Sequence, residues 1–175
     1  MTDTPRTKPR FPKGRDNRPG ARLVVIGLGS NTDGPEQIDR AIERLVLEYD
    51  LLVRSTRYIG PPEVGPDEEP DDSAPPYSNA AVLIRTADDF ATLKDKLHAL
   101  ELDLGRDRMV KGEVAIDLDV LLIQNEVVRS GDVVVVPHPD LTCKRHAAIP
   151  SAEVAPFLVH TTTEERLSAI AARLA

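Results

Sequence analysis

The stretch NAAVLIRTADDFATLKDKLHALELDLG, residues 79–105, contains the change of pattern that decides the fold. Its first part, Asn79–Thr86, is mostly apolar and predicts a strand. From Phe90 to Leu104 the large apolar residues recur at helical spacing, which predicts a helix with one apolar face. Gly105 follows at the position where helices often end in the left-handed conformation. A strand and a helix in this order need a further strand to complete a βαβ unit.

The same alternation precedes and follows this stretch. Leu23–Gly29 predicts a buried strand, a helix follows up to Tyr49, and Leu51–Ile59 predicts a second strand. Val114–Ile123 predicts the strand that comes after the second helix. The complete order is strand, helix, strand, strand, helix, strand. It predicts an α+β fold of the ferredoxin-like split βαβ type (βαββαβ).

Two additions to this unit are predicted beyond the last strand. Glu126–Val128 and Val133–Val136 flank a turn sequence and predict a β-hairpin, and Glu164–Leu174 predicts a C-terminal helix. We therefore expect one domain over residues 22–175. A basic, proline-rich tail precedes it at residues 1–21, and its composition predicts disorder.

Charge is divided unevenly along the chain, whose net charge is -7. Residues 1–22 hold seven Lys or Arg and two Asp, which leaves residues 23–175 with 15 basic and 27 acidic side chains. An acidic body repels phosphate backbones, so we expect no nucleic-acid partner. The segment Gly60–Pro76 holds six prolines and six acidic residues without a basic one, and predicts a long loop.

Composition also bears on the compartment. The longest apolar runs are far shorter than the roughly 20 residues of a membrane helix, so no membrane segment is expected. The N-terminal residues lack the apolar core of a secretory signal. The single cysteine, Cys143, agrees with a reducing compartment, and we expect a cytoplasmic protein.

Two acidic residues interrupt the last predicted strand. Asp117 and Asp119 are two residues apart, so their side chains point to one face of the strand, roughly 6.6 Å apart. Facing carboxylates at this separation suit a shared Mg²⁺ ion, and a solvated sheet face is the alternative. Leu118 and Val120 predict a buried opposite face, which favours a ligand that compensates the two charges.

Two further groups of residues suggest binding chemistry, and a third fits a turn better. Arg106 and Arg108 form a short basic loop that suits phosphate, or they pair with neighbouring acidic residues. Tyr77 and Asn79 suit a flat heterocycle, by stacking and by amide hydrogen bonds, or they are an edge-strand tyrosine and a turn asparagine. Gly29-Ser30-Asn31 fits a tight turn better than a phosphate-binding loop.

Together these segments resemble one family, the 6-hydroxymethyl-7,8-dihydropterin pyrophosphokinases of folate synthesis. The resemblance extends from Leu23 to about Pro156. Its motifs are GSN (29–31), YIGPP (58–62), YSNAAV (77–82), ELDLGRDR (101–108), DLDVLL (117–122) and VPHP (136–139). The family fold is the ferredoxin-like one, in agreement with the predicted order of elements.

The resemblance implies a role for each residue that matches a family motif. Asp117 and Asp119 match the acidic residues that hold two Mg²⁺ ions between ATP and the pterin, and Arg106 and Arg108 match the arginines of the catalytic loop. The implied pterin contacts are Gly60, Tyr77, Asn79 and His146, and the implied nucleotide contacts are Glu101, Arg108, His138 and Lys144.

The chain also departs from the family pattern. The catalytic loop is shorter and has no tryptophan, and Glu113–Ala115 stands where the family has Pro-Arg-Thr. Lys144 replaces an arginine, and His146 replaces the phenylalanine that closes the pterin site.

Three functions fit this combination. We expect a transferase that moves pyrophosphate from ATP to the hydroxymethyl group of a reduced pterin, with positioning and electrostatics supplying most of the acceleration. The alternatives are a divergent paralogue that acts on another pterin, for example in a methanopterin-type pathway, and a pterin-binding protein without catalysis.

Overall fold

An antiparallel five-stranded sheet organises the structure, a computed structural model that describes residues 16, 18–62, 75–110 and 112–175. The strands lie in the order β2-β4-β1-β5, and the short β3 also pairs with β4. With β2 and β3 taken as one interrupted strand, this is the ferredoxin-like arrangement, so the predicted fold class is confirmed. The elements are β1 (Arg22–Ser30), α1 (Gly34–Glu48), β2 (Asp50–Arg54), β3 (Tyr58–Gly60), β4 (Tyr77–Thr86), α2 (Phe90–Asp103), β5 (Asp117–Ile123), β6 (Val128–Ser130), β7 (Val133–Val136), a 3-10 helix (Pro139–Thr142), α3 (Arg145–Val154) and α4 (Leu167–Leu174).

The second predicted strand is interrupted at Ser55. Its hydroxyl donates to the carbonyl of Thr56 at 2.6 Å and accepts from the backbone N–H of Ala81 at 2.9 Å. A side chain therefore takes part in the pairing with β4, and the chain bends before pairing resumes at β3. The expectation of one continuous strand from Leu51 to Ile59 was wrong in this respect.

Each face of the sheet carries its own apolar core. One core packs the sheet against α1 and α2, and Leu118 and Val120 of β5 belong to it. The other core packs the sheet against α3 and α4 and includes Leu121. The sequence predicted α4 and the hairpin of β6 and β7, although the first hairpin strand is Val128–Ser130 and not Glu126–Val128. It did not predict α3, because Pro150 lies inside that helix and normally interrupts helical hydrogen bonding.

The last described residues of the N-terminal tail contact the domain. Asp16 is buried, and its carboxylate accepts from the backbone N–H of Ala87 at 2.9 Å and from the Arg18 guanidinium at 2.6 Å. Arg18 also donates to Asp88 at 2.9 Å. The rest of the tail before residue 16 lies outside the described residues. So do residue 111 and positions 63–74 of the predicted acidic loop. Among the helices that the structure describes, none has the length and apolar character to cross a membrane.

Candidate active site

A cleft of about 220 Å³ opens on the side of the sheet that carries α3 and α4, where β1 ends and β4 and β5 begin. Six of the residues to which the family resemblance gives a role line it: Tyr77, Asn79, Asp117, Asp119, His138 and His146. The other lining residues are Gly27, Leu28, Gly29, Pro61, Pro62, Ala80, Leu121, Asp140 and Ala147.

The floor of the cleft is formed by two glycines of β1. Gly29 is paired in register with Asn79 on one side and Asp117 on the other, and Gly27 is paired with Asp119. A Cβ atom on Gly27 would come within 2.8 Å of Leu121 Cδ1, and one on Gly29 within 3.3 Å of Asn79 Oδ1. The absence of side chains here leaves room for a ligand between the neighbouring strands.

The two aspartates of β5 both line the cleft, as the alternation of side chains along a strand predicts. The surrounding protein excludes part of the solvent, which raises the pKa of both carboxyl groups, and the charge of Glu101 raises both further. For Asp117 the charge of Asp119 also raises the pKa, and Arg106 and Arg108 lower it. For Asp119 the charge of Asp140 also raises the pKa, and His138 and Arg108 lower it. The site therefore favours a cation near these carboxylates.

Arg106 lies beside the aspartates without lining the cleft itself. Its Nη2 is 3.9 Å from Asp117 Oδ1, and its Nη1 donates to the carbonyl of Glu113 at 3.3 Å. Only 15% of its side chain is exposed, and Nε is buried without a hydrogen-bond partner among the described residues. Burial raises the pKa of the Tyr77 phenol. The charge of Arg106 lowers this pKa, and the charge of Asp117 raises it. The three side chains therefore share one electrostatic environment.

Glu101 connects α2 to β5. Its Oε1 accepts from the backbone N–H of Leu118 at 2.7 Å, and its Oε2 accepts from Arg108 at 3.0 Å and lies 3.4 Å from His98 Nδ1. The carboxylate is buried, and these contacts occupy both of its oxygens. Glu101 thus holds the backbone between the two aspartates and also holds the second arginine of the loop.

Sequence reasoning missed the function of Ser30 and Asn31, which hold the segment that leads into β5. The Asn31 side chain accepts from the N–H of Val114 at 2.6 Å and donates to the carbonyl of Gly112 at 2.7 Å. The buried Ser30 hydroxyl donates to the carbonyl of Ala115 at 2.6 Å. Side-chain groups at a turn commonly bind nearby backbone, so this pairing across more than 80 residues had no signal in the local sequence.

The opposite wall is built by the 3-10 helix and the start of α3. His138 precedes the 3-10 helix, and the backbone N–H of His138 donates to the carbonyl of Leu121 on β5 at 2.7 Å. Asp140 Oδ2 lies 3.9 Å from His138 Nδ1 and 3.8 Å from His146 Nε2. Lys144 stands immediately before α3.

Five of the residues to which the family resemblance gives a role are not part of the cleft lining. Gly60 is paired with Tyr77 at the end of β3, and the next two residues, Pro61 and Pro62, line the cleft instead. The others outside the lining are Glu101, Arg106, Arg108 and Lys144.

The arrangement offers oxygen ligands for a hard cation at one end and a tyrosine ring with an amide at the other. Carboxylate oxygens are the ligands that Mg²⁺ prefers, and Asp117 and Asp119 present theirs with raised pKa values, as expected where no cation of the protein fully compensates them. No third acidic, histidine or cysteine ligand joins them in the part of the chain that the structure describes. Phosphate oxygens and water would therefore complete the coordination of a bound ion.

Comparisons with known proteins agree with these observations. A family model described as 7,8-dihydro-6-hydroxymethylpterin-pyrophosphokinase (HPPK) matches residues 25–156. A 2-amino-4-hydroxy-6-hydroxymethyldihydropteridine pyrophosphokinase of Haemophilus influenzae is 33% identical over 139 residues, which cover 78% of this chain and 83% of that protein. The protein of the same name from Aquifex aeolicus is 30% identical over 139 residues, which cover 78% of this chain and 82% of that protein.

Solved structures extend the likeness to the fold. The structure of wild-type Plasmodium falciparum HPPK-DHPS with pteroate superposes with a TM-score of 0.62 at 12% identity. The match covers 88% of this chain and 42% of that one, so this chain spans less than half of the solved protein. The family model, which covers most of the chain, and the curated relatives confirm the resemblance seen in the sequence motifs. The chain belongs to the 7,8-dihydro-6-hydroxymethylpterin-pyrophosphokinase (HPPK) family.

Proposed function

We propose that the protein transfers pyrophosphate from ATP to the hydroxymethyl group of 6-hydroxymethyl-7,8-dihydropterin. The observation that carries this proposal is the meeting of Asp117 and Asp119 with Tyr77 and Asn79 across the glycine floor of one cleft. The names of the curated relatives describe this activity in those proteins.

The reaction needs no nucleophile from the protein. The hydroxymethyl oxygen attacks the β-phosphorus of ATP, the bond between that phosphorus and the oxygen bridging to the α-phosphate breaks, and AMP leaves. The proton of the hydroxyl group passes to solvent. The contribution of the protein is therefore to align two substrates and to stabilise the charge on the phosphates.

Asp117 and Asp119 are proposed to hold two Mg²⁺ ions. When bound, such ions neutralise phosphate charge and help to align the attacking and leaving oxygens. The two carboxylates are suited to this role because their pKa values are raised by burial and by acidic neighbours, so a cation relieves their repulsion.

Arg106 is proposed to contact the transferred phosphates. Its side chain lies between the loop and Asp117, and its buried Nε has no partner among the described residues. A phosphate oxygen would accept from the guanidinium Nη2, which lies 3.9 Å from Asp117 Oδ1. We propose that the nucleotide is also contacted by Arg108, His138 and Lys144. Glu101 would contribute by holding Arg108 in place through its hydrogen bond with that guanidinium.

Tyr77, Asn79 and His146 are proposed to bind the pterin, with Gly60 contributing backbone groups. A ring between Tyr77 and His146 would gain about 0.5–1.5 kcal/mol beyond the burial of its area, and the Asn79 amide can both donate to and accept from the ring edge. His146 is the observation that favours a second candidate, a related pterin as the substrate, because imidazole presents polar nitrogens where the family has a phenylalanine.

The test is AMP release from ATP with 6-hydroxymethyl-7,8-dihydropterin and with a panel of other reduced pterins. AMP release with the first compound supports the proposal, and release with another pterin alone identifies a paralogue of different specificity. Pterin binding without AMP release from any of them would refute catalysis.

The metal part has its own variants. Asp117→Asn and Asp119→Asn should abolish turnover and the Mg²⁺ dependence of ATP binding in calorimetry. Asp132→Asn, which removes one exposed carboxylate on the hairpin turn, is the matched control and should change neither. Unchanged Mg²⁺-ATP affinity after both substitutions in β5 would show that these residues are a solvated strand face.

A further inference from the structure

One carboxylate connects two walls of the cleft that are far apart in sequence. Glu153 lies near the end of α3, the helix whose first turn contains His146. Its Oε1 accepts from the N–H of Thr56 at 2.9 Å. Its Oε2 accepts from the Thr56 hydroxyl at 2.9 Å and from the Tyr58 hydroxyl at 2.8 Å. Three hydrogen bonds accepted by one side chain therefore tie α3 to the connection between β2 and β3 and to the start of β3.

The two tied elements differ in how firmly the core holds them. Helix α3 is anchored independently, because Ala147, Ala148 and Val154 are buried in the core that it shares with β1 and β4. Strand β3 contributes no fully buried side chain, and Ile59 at its centre is 67% exposed. Its pairing with β4 and its contacts with Glu153 therefore carry most of its placement.

The placement of β3 matters for the cleft. Gly60, its last residue, is paired with Tyr77 of β4, and the chain continues directly into Pro61 and Pro62, which line the cleft. His146 lines the same cleft from α3. A shift of β3 away from α3 would widen the space between the prolines and the histidine.

We propose that Glu153 is a positioning residue that fixes the distance between these two walls and so sets the fit of the pterin ring. This inference rests on the proposed function, since it assigns the pterin to the part of the cleft between Tyr77 and His146. Glu153 lines no part of the cleft and acts only through Thr56 and Tyr58.

The alternative is that Glu153 is a brace that supports stability alone, and the chain offers a matched comparison. Arg57, between Thr56 and Tyr58, donates to Asp39 Oδ2 on α1 at 2.7 Å. Asp39 therefore ties the same connection to a helix on the other face of the sheet, away from the cleft. A variant at Asp39 weakens this exposed contact, and the ion pair of Asp39 Oδ1 with Arg54 Nη1 at 3.7 Å, without releasing β3 from α3.

The experiment compares Glu153→Gln, Tyr58→Phe and Asp39→Asn with the unmodified full chain in steady-state AMP release. The substrates are 6-hydroxymethyl-7,8-dihydropterin and ATP, and unfolding is followed by circular dichroism for each protein. Glutamine keeps the shape of the side chain, but its NH₂ group cannot accept from the two hydroxyls. We expect Glu153→Gln to raise the KM for the pterin by at least about fivefold, with the KM for ATP and kcat within about twofold. Tyr58→Phe removes one of the three hydrogen bonds and should raise the KM for the pterin by less than Glu153→Gln does.

Each outcome decides the matter. Asp39→Asn should leave the pterin KM unchanged even if it lowers the unfolding temperature. An unchanged pterin KM in Glu153→Gln, or an equal rise in Asp39→Asn, would overturn the inference and leave the proposed function intact. Failure of the unmodified protein to release AMP with any pterin would refute the proposed function and this inference with it.

Discussion

Replacing Asn31 by alanine removes two hydrogen bonds that hold the segment leading into β5. The amide oxygen of Asn31 accepts from Val114 N–H at 2.6 Å, and its nitrogen donates to the Gly112 carbonyl at 2.7 Å. The backbone bond from Asn31 N–H to Val114 O remains in the variant. The segment would therefore stay close to β1 but lose the contacts that fix its position.

The structure sets the size of the expected effects. Each hydrogen bond contributes about 0.5–1.5 kcal/mol net, and since the bond to Gly112 is exposed, we expect the unfolding free energy to fall by about 1–2 kcal/mol. Asp117 follows Val114 by three residues, so a loosened segment displaces a carboxylate proposed to hold Mg²⁺. Misplacement by about 1 Å can cost roughly 100-fold in rate, and we expect kcat to fall at least tenfold. Ser30→Ala should act in the same direction, because its buried hydroxyl bonds the Ala115 carbonyl.

Urea unfolding and AMP release at saturating substrates measure the two effects separately. Thr161→Ala is the matched control, since the Thr161 hydroxyl donates to the Glu126 carbonyl at 3.1 Å, away from the cleft. It should lower stability and leave kcat unchanged. A kcat for Asn31→Ala equal to that of Thr161→Ala, at a similar loss of stability, would refute the idea that this segment has to be held.

Three further predictions concern stability. Tyr49 is buried, and its hydroxyl has no hydrogen-bond partner among the described residues, so Tyr49→Phe should stabilise the protein by about 1 kcal/mol in urea unfolding; a loss of stability would contradict this. Burial lowers the pKa of His160, so the folded state favours the neutral imidazole. The contribution of His160 to the unfolding free energy is therefore complete above about pH 6.5, and it is lost as the pH falls through the pKa of the folded state. Between pH 8 and pH 5 the unfolding temperature of the unmodified protein should therefore drop more than that of His160→Gln. Equal drops in the two proteins would exclude His160 as the cause. The hydrogen bond from Arg18 holds the pKa of Asp16 well below its usual range, so Asp16→Asn should cost about 1 kcal/mol at pH 7. That difference should vanish as acid protonates Asp16, and a difference that persists in acid would assign the effect to packing.

The order of elements was predictable because it depends on local patterns. The spacing of large apolar residues from Phe90 to Leu104 predicted α2, and strand alternation placed Asp117 and Asp119 on one face. Helix α3 was not predictable in this way. Its proline suppresses the helical signal, and its position depends on the core contacts of the folded chain.

The site was predictable as a set of residue types but not as a set of contacts. Glu101 was singled out as a nucleotide contact through the family resemblance, and the structure gives its carboxylate to Leu118 N–H and Arg108. That contact depends on how closely α2 approaches β5, which no local sequence pattern encodes. The same holds for Asn31, whose partners are 81 and 83 residues away.

The way the outer side of β5 is covered has a consequence for self-association. β5 lies at the edge of the five-stranded sheet, and an open edge exposes backbone groups that can pair with a strand of another molecule. Here the backbone N–H of Leu118 donates to the Glu101 carboxylate, and the carbonyl of Leu121 accepts from the backbone N–H of His138. Two backbone groups of this edge are therefore unavailable for intermolecular β-pairing. A substitution at Glu101 would free the N–H of Leu118, so we expect it to favour self-association of the protein through this edge.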